Sequence, residues 1–214
     1  MAGYFSITIA RQYGSGGREV GERVAELLGC KTYGRELISL AAEAGSMSEA
    51  ALSRADEVAA GSLLYTLAMG STAFGLQHVA GHHMPLNDKL FCLQSEEIRR
   101  IAGTEDAVFI GRCADYVLRE NPRVLRVFVY ANEECRIRRI MERHDLPKNK
   151  AEDMMRKVDH RRATYYNFYT GQKWGRFENY ALAINSSVLG IEDTAKMIAD
   201  MALSLRYRLD AAEK

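Results

Sequence analysis

Proline is scarce in this chain, at 3 of 214 residues, and there is no low-complexity tract or internal repeat. With 47% apolar residues available for a core, this excludes a polyproline, collagenous or disordered protein. Cysteine is sparse as well. Cys30, Cys92, Cys113 and Cys135 are scattered, form no CxxC pair and have no histidine at metal-ligand spacing. Neither a disulfide framework nor a zinc module is expected, and the four read as ordinary buried thiols of a reduced, cytoplasmic protein. The formal net charge is only +1, so the molecule as a whole gives no reason to expect a nucleic-acid or membrane partner. No apolar run approaches the ~18 residues of a membrane-spanning helix. A strand-like run starts within a few residues of Met1, so no leader segment is expected.

What is present is an alternation of short apolar strands with helices. Phe5 to Ala10 is a β-branched, apolar run that predicts a central strand. Glycines at 14, 16 and 17 follow it, and Arg18 to Leu28 has helical spacing with Gly29 as its stop. Lys31 to Gly34 predicts a short strand, and Arg35 to Ala44 and Leu90 to Ala102 predict helices. Further strands are expected at Ala107 to Gly111, Val124 to Tyr130 and Tyr180 to Asn185, with helices at Asn132 to Arg143 and Ile191 to Arg206. Such alternation implies an α/β protein with a parallel sheet covered on both faces. Between 46 and 89 the pattern is helical but irregular, broken by Gly61, Gly70, Gly75 and Gly81. His78, His82 and His83 fall in that region without a partner at metal spacing, and read as exposed.

Gly14-Ser15-Gly16-Gly17, between a buried strand and a helix, is the context of a phosphate-binding loop. Glycines let backbone amides turn toward an anion, and the helix start adds its unpaired donors. The loop departs from the GxxxxGK[ST] pattern, however. Arg11 stands at its first glycine, Gly17 at its lysine and Arg18 at its hydroxyl residue. Beyond the loop the main feature is charge: from Arg136 to Arg176 twelve Lys/Arg face five Asp/Glu. Phosphoryl transfer depends on positioning and electrostatics, and the guanidinium fork grips two phosphate oxygens at once. On the helix after the third long strand at most two of Arg136, Arg138, Arg139 and Arg143 can address one site, and Arg136 and Arg143 read as solvated or salt-bridged.

These segments resemble the cytidylate-kinase-like family nearly end to end. Ile7 to Leu28 is similar to the opening of cytidylate kinases, with the loop lysine replaced by a Gly-Arg pair. Gly111-Arg112-Cys113-Ala114-Asp115 resembles their Gly-Arg-Asp, and Phe128 to Arg139 their strand and arginine-rich helix. Asp159-His160-Arg161-Arg162, with Tyr165, Tyr166, Lys173 and Trp174 beyond, is the most family-specific stretch, and Asn185-Ser186-Ser187 with Gly190-Ile191-Glu192 matches the close. The resemblance is weakest between Ser46 and Lys89.

The resemblance implies one P-loop NTPase-type domain over 1–214, a three-layer fold with five parallel strands and helices on both faces. Its core would span about 1–45, 90–143 and 177–214, with a helical NMP-binding insertion at about 46–89 and a lid at about 144–176. It further implies a nucleotide kinase using ATP and Mg2+ on a CMP- or dCMP-like acceptor. Gly14, Ser15, Gly16, Gly17 and Arg18 would cradle the donor phosphates, with Arg18 or Lys157 standing in for the lysine and Arg161 and Arg162 closing over the transferring group. Arg112, Asp115 and Asp159 would serve the acceptor, Mg2+ would sit on phosphates and water near Ser15, and no protein metal site is expected. Two alternatives are left open: loss of both the lysine and the Ser/Thr of the loop allows a nucleotide-binding regulatory module, and Cys113 and Gly34, which stand where the family carries Asp, favour a kinase of another small phosphate-accepting metabolite. A homodimer is also left open.

Overall fold

The computed structural model describes residues 3–37, 39–40 and 86–213. Most of the insertion expected at 46–89, with its three histidines, lies outside the described residues. The chain divides into two compact units, Met1–Gly34 with Ile98–Lys214, and Arg35–Glu97. Of the second, the described residues are 35–37, 39–40 and the greater part of one helix, α2 (Leu86–Ala102). Everything that follows concerns the first.

Its centre is a sheet of five parallel strands: β1 (Ser6–Arg11), β2 (Lys31–Tyr33), β3 (Ala107–Ile110), β4 (Val124–Tyr130) and β5 (Leu182–Asn185). The order across the sheet is β2-β3-β1-β4-β5. The chain lays β2 and β3 on one side of β1, then crosses to lay β4 and β5 on the other. The carboxyl end of β1 is therefore next to the topological switch, where open α/β sheets bind ligands.

Register explains the core. Ile7 lies opposite Val108 and Leu125, and Ile9 opposite Ile110 and Val127, so their side chains share one face. That face is buried against Val20, Val24 and Ala25 of α1 (Gly17–Leu28) and Ala195, Ile198 and Ala202 of the C-terminal helix α6 (Ser186–Ala212). Both helices present their apolar residues at the three- and four-residue spacing that makes such a stripe. Alternate residues of β1 and β4 point the other way, where Ala10 and Phe128 pack with Tyr180 and Trp174. Phe128 stands at 5.0 Å from the Tyr180 ring and edge-on to Trp174 at 5.6 Å, spacings at which aromatic pairs add to simple burial. The helices α3 (Ala114–Val117), α4 (Glu133–His144) and α5 (Lys148–Thr170) complete the order. The five-stranded parallel sheet is as the sequence predicts.

Two elements differ from the sequence reading. The last helix begins at Ser186 rather than Ile191, because the Asn185 side chain accepts the Ser187 amide at 2.9 Å and caps a first turn. Gly190, at φ 74 and ψ −178, then breaks the helix before Ile191. The other is α5, a helix of 23 residues that apolar periodicity does not reveal. Its buried residues are Ala151, Met155, Tyr166 and Thr170, and the two positions that would complete this stripe are Asp159 and Arg162. The charged pair in the middle of a core-facing stripe is what hides the helix and, as follows, what ties it to the glycine loop. The thiols differ as well: Cys113 is buried, Cys30 and Cys135 are half-buried and Cys92 is exposed. Among the described residues no helix is long and apolar enough to cross a membrane.

Candidate active site

The loop Gln12–Gly16 joins β1 to α1 at the carboxyl edge of the sheet. Gly14 and Gly16 both take left-handed conformations, at φ 76 and 74. A Cβ on Gly14 would also come within 2.7 Å of the Arg136 carbonyl oxygen, so the position is glycine on two counts. Gly16 is the N-cap of α1 and has no side chain to satisfy the first amides of the helix, which have no acceptor of their own.

The carbonyls of this loop are tied back one after another. Arg162 of α5 donates from Nη1 to the Arg11 oxygen at 2.9 Å. The Ser15 hydroxyl donates to the Gln12 oxygen at 2.9 Å and accepts the Gly17 amide at 3.3 Å. Arg136 donates from Nε to the Tyr13 oxygen at 2.7 Å. Arg139 reaches the Gly14 oxygen at 3.4 Å and the Ser186 hydroxyl at 3.2 Å, and Ser186 donates to the Ser15 oxygen at 2.5 Å. Five successive carbonyls, 11 to 15, are thereby held by side chains, three of them by guanidinium groups. The amides of Tyr13, Ser15 and Gly17 are bonded to Asp159, the Gln12 carbonyl and the Ser15 hydroxyl, so the amides the loop offers to its hollow are those of Gly14 and Gly16, and the guanidiniums behind it add positive potential. This is the arrangement of an anion-binding nest.

Asp159 completes the harness. One carboxylate oxygen accepts the Tyr13 amide at 2.7 Å and the other forms an ion pair with Arg136. The ring of Tyr13 lies beneath the Arg162 guanidinium, 5.5 Å away, and its hydroxyl shares a hydrogen bond of 2.7 Å with His144 Nε2. Burial pushes the Arg162 guanidinium below its ordinary pKa, with Asp159 the principal opposing influence.

Across the mouth of the loop, β3 ends in Gly111, Arg112 and Cys113, all left-handed, at φ 77, 59 and 55. A non-glycine residue in this conformation costs about 1–2 kcal/mol, so Arg112 and Cys113 mark strain at the edge of the site. Burial pushes the Cys113 thiol well above its usual range. Asp115, in α3, is also buried; desolvation raises its pKa, against a hydrogen bond of 2.8 Å donated by the Tyr166 hydroxyl.

The structure thus sorts the residues that the sequence singles out. Gly14, Ser15, Gly16 and Gly17 form the loop, with Ser15 turned inward and engaged by its own backbone. Arg18 faces away from it: its side chain is 56% exposed and pairs with Glu22 one turn on, as the second residue of a helix does when that face meets solvent. Lys157 and Arg161 are exposed on α5, while Arg162, one position on, turns to the loop. Asp159, expected on the acceptor side, has both oxygens committed beneath the loop, and Asp115 is committed to Tyr166. Arg112 is half-buried at the end of β3. Arg143 pairs with Glu19 on the surface, whereas Arg136, read as solvated or salt-bridged, is buried in its ion pair. The sequence reading missed Tyr13, Arg139 and Ser186 as loop supports. For Ser186 the signal is present in Asn185-Ser186-Ser187, but it reads there only as part of the family's closing strand and helix.

A parallel sheet with this loop after its first strand is a fold similar to that of the P-loop kinases. The fold is shared with a shikimate kinase from Bacteroides thetaiotaomicron (TM-score 0.50, 14% identity, 92% of this chain and 97% of that one). A gluconokinase from Sinorhizobium meliloti 1021 is similar to the same degree (TM-score 0.50, 16% identity, 97% and 99%). Within that class the chain belongs to the cytidylate kinase-like family, whose model matches residues 6–188. An uncharacterized protein from Eubacterium ventriosum ATCC 27560 has a TM-score of 0.69 and 26% identity over 94% of this chain and 99% of that one. No curated protein matches the sequence.

Proposed function

We propose that the protein transfers a phosphoryl group from ATP to a nucleoside monophosphate, CMP or dCMP in the first instance. The observation that carries this reading is the harness of carbonyls 11 to 15, which holds the left-handed Gly14 and Gly16, and with them their amides, in place for a polyphosphate. Family membership supports the same chemistry. The donor phosphates lie against Gly14 to Arg18, and the half-buried cation of Arg162 belongs near the group in flight. Residues 144–176 act as the lid and 46–89 as the acceptor-binding insertion. The donor set suits magnesium bound through phosphate oxygens and water, since among the described residues no three His, Cys, Asp or Glu gather to hold a metal. The metal's part is to neutralise charge on the phosphates. An acceptor phosphate is already an anion at pH 7, so no general base is required of the protein. Arg112 holds that phosphate at the end of β3.

A second reading, the kinase of another small phosphorylated metabolite, is favoured by Cys113 and by Asp115. Where a carboxylate for the acceptor nucleotide would stand there is a buried thiol, and the nearest carboxylate is engaged by Tyr166.

The test is coupled ADP release with ATP and magnesium against a panel of nucleoside monophosphates and small phosphorylated metabolites. Turnover on CMP or dCMP that falls at least ~100-fold in Arg162→Ala supports the first reading, an arginine at such a site contributing up to about 10³–10⁵. Turnover on another acceptor alone establishes the second. Binding of ATP without turnover on any acceptor would leave a regulatory module.

A further inference from the structure

The loop lacks the lysine that in GxxxxGK[ST] reaches the β- and γ-phosphates, and the residue expected to replace it, Arg18, points to solvent beside Glu22. Two glycines indicate where the cation has gone. A Cβ on Gly17, the residue at the lysine position, would lie 2.5 Å from Arg11 Cβ, 3.0 Å from Arg11 Cγ and 3.2 Å from Val129 Cβ. A Cβ on Gly111 would overlap Arg11 Nη1 and lie 3.1 Å from Arg11 Cζ. The stem of Arg11 therefore runs across Gly17, and its guanidinium ends against Gly111, at the tip of β3. One side chain accounts for the absence of a side chain at both positions. Arg11 is half-buried. Its own carbonyl is the acceptor of Arg162, so the arginine helix is anchored on the same residue.

We propose that Arg11 is the phosphate-binding cation of this loop. The first glycine and the lysine of the common pattern have exchanged roles: the cation enters from the end of β1, and position 17 is emptied to let it pass. The guanidinium lies between the amide nest and the left-handed turn that carries Arg112, where a phosphate shared by donor and acceptor would meet it. Unlike an ammonium it offers a planar fork, able to bond two oxygens of one phosphate. This inference rests on the phosphotransferase reading above.

Titration calorimetry with Mg-ATP on five proteins tests it: wild type, Arg11→Met, Arg11→Gly, Gly17→Lys and the double variant R11G/G17K. Arg11→Met keeps a stem over Gly17 and removes only the charge. It should keep the unfolding midpoint while ATP binds about 10- to 100-fold more weakly, the worth of a hydrogen bond to a charged group. Gly17→Lys alone should be destabilised, having no room beside Arg11. The double variant, which restores the glycine and the lysine of the common pattern though not its hydroxyl residue, should recover affinity to within about threefold of wild type. Wild-type affinity in Arg11→Met overturns the proposal, and so does a folded double variant that binds no better than Arg11→Gly. A wild-type protein that binds no ATP would overturn the phosphotransferase reading itself. Tight wild-type binding that Arg11→Met leaves intact overturns only the role given to Arg11.

Discussion

Asp159 and Arg136 form an ion pair beneath the glycine loop, and both partners also bond to the backbone of Tyr13, Asp159 to its amide and Arg136 to its carbonyl, each at 2.7 Å. The pair is sheltered, with side-chain exposures of 9% for Arg136 and 18% for Asp159. Removing one partner of such a pair leaves a charge without compensation. Asp159→Ala should therefore cost about 3–5 kcal/mol in urea unfolding. The double variant R136M/D159L, which removes both charges, should regain most of that. A loss below about 1 kcal/mol in Asp159→Ala would mean that the pair is not what holds Tyr13.

Gly14 carries the second prediction. An alanine there must adopt φ 76 and push its Cβ to 2.7 Å from the Arg136 carbonyl. The left-handed conformation alone costs about 1–2 kcal/mol, and the crowding adds to it. The loop and α4 must separate, so Gly14→Ala should lower the unfolding free energy by at least 2 kcal/mol, roughly the sum of those terms. It should also lose ATP binding in proportion to the displaced amides. A variant as stable as the parent would place the loop farther from α4 than this contact requires.

Much of this architecture is legible in the chain itself, and for definite reasons. β4 is read to the residue because Val124 to Tyr130 is a bounded β-branched run, and α1 to within one residue because glycines flank an apolar stripe. The loop is legible through its glycines, since no other residue adopts two left-handed turns so cheaply. What is hidden is everything that depends on distant segments meeting. Asp159 and Arg162 look like members of a solvated basic run until the helix they sit on is seen to turn them to the loop. The chain likewise conceals the path of Arg11, because it spans β1, α1 and the tip of β3. Arg18 shows the converse: its place in the motif suggests a role, and the rotation of the helix carries it to the outside.

Ser186 links the last helix to the loop. It is fully buried, donates to the Ser15 carbonyl at 2.5 Å and accepts from Arg139 at 3.2 Å. Ser186→Ala leaves the Ser15 carbonyl without its donor in the interior, takes one of two acceptors from Arg139, and should cost about 1–3 kcal/mol. The effect on function should be on binding: the Ser15 carbonyl loses its tether, so the KM for ATP rises while turnover at saturation changes little. A fall in turnover with unchanged KM would place the consequence in the chemical step instead.

Asp115 supplies a prediction about pH. Desolvation raises its pKa in the folded protein, and the Tyr166 hydroxyl at 2.8 Å offsets only part of that. A carboxyl with a raised folded pKa holds its proton more tightly in the native state than in the unfolded chain, where it titrates near about 3.9. Over that interval the native state binds more protons, so this group makes stability fall as pH rises from about 4 to its folded pKa; above that the penalty is constant. Asn at the same position keeps an acceptor for Tyr166 and has no charge to bury. Asp115→Asn should therefore match the parent near pH 4 and gain on it progressively toward neutrality in urea unfolding measured across that range. The opposite slope, with the variant losing ground as pH rises, would mean that the ionised carboxylate is the form the fold stabilises, and that α3 presents Asp115 as a charge.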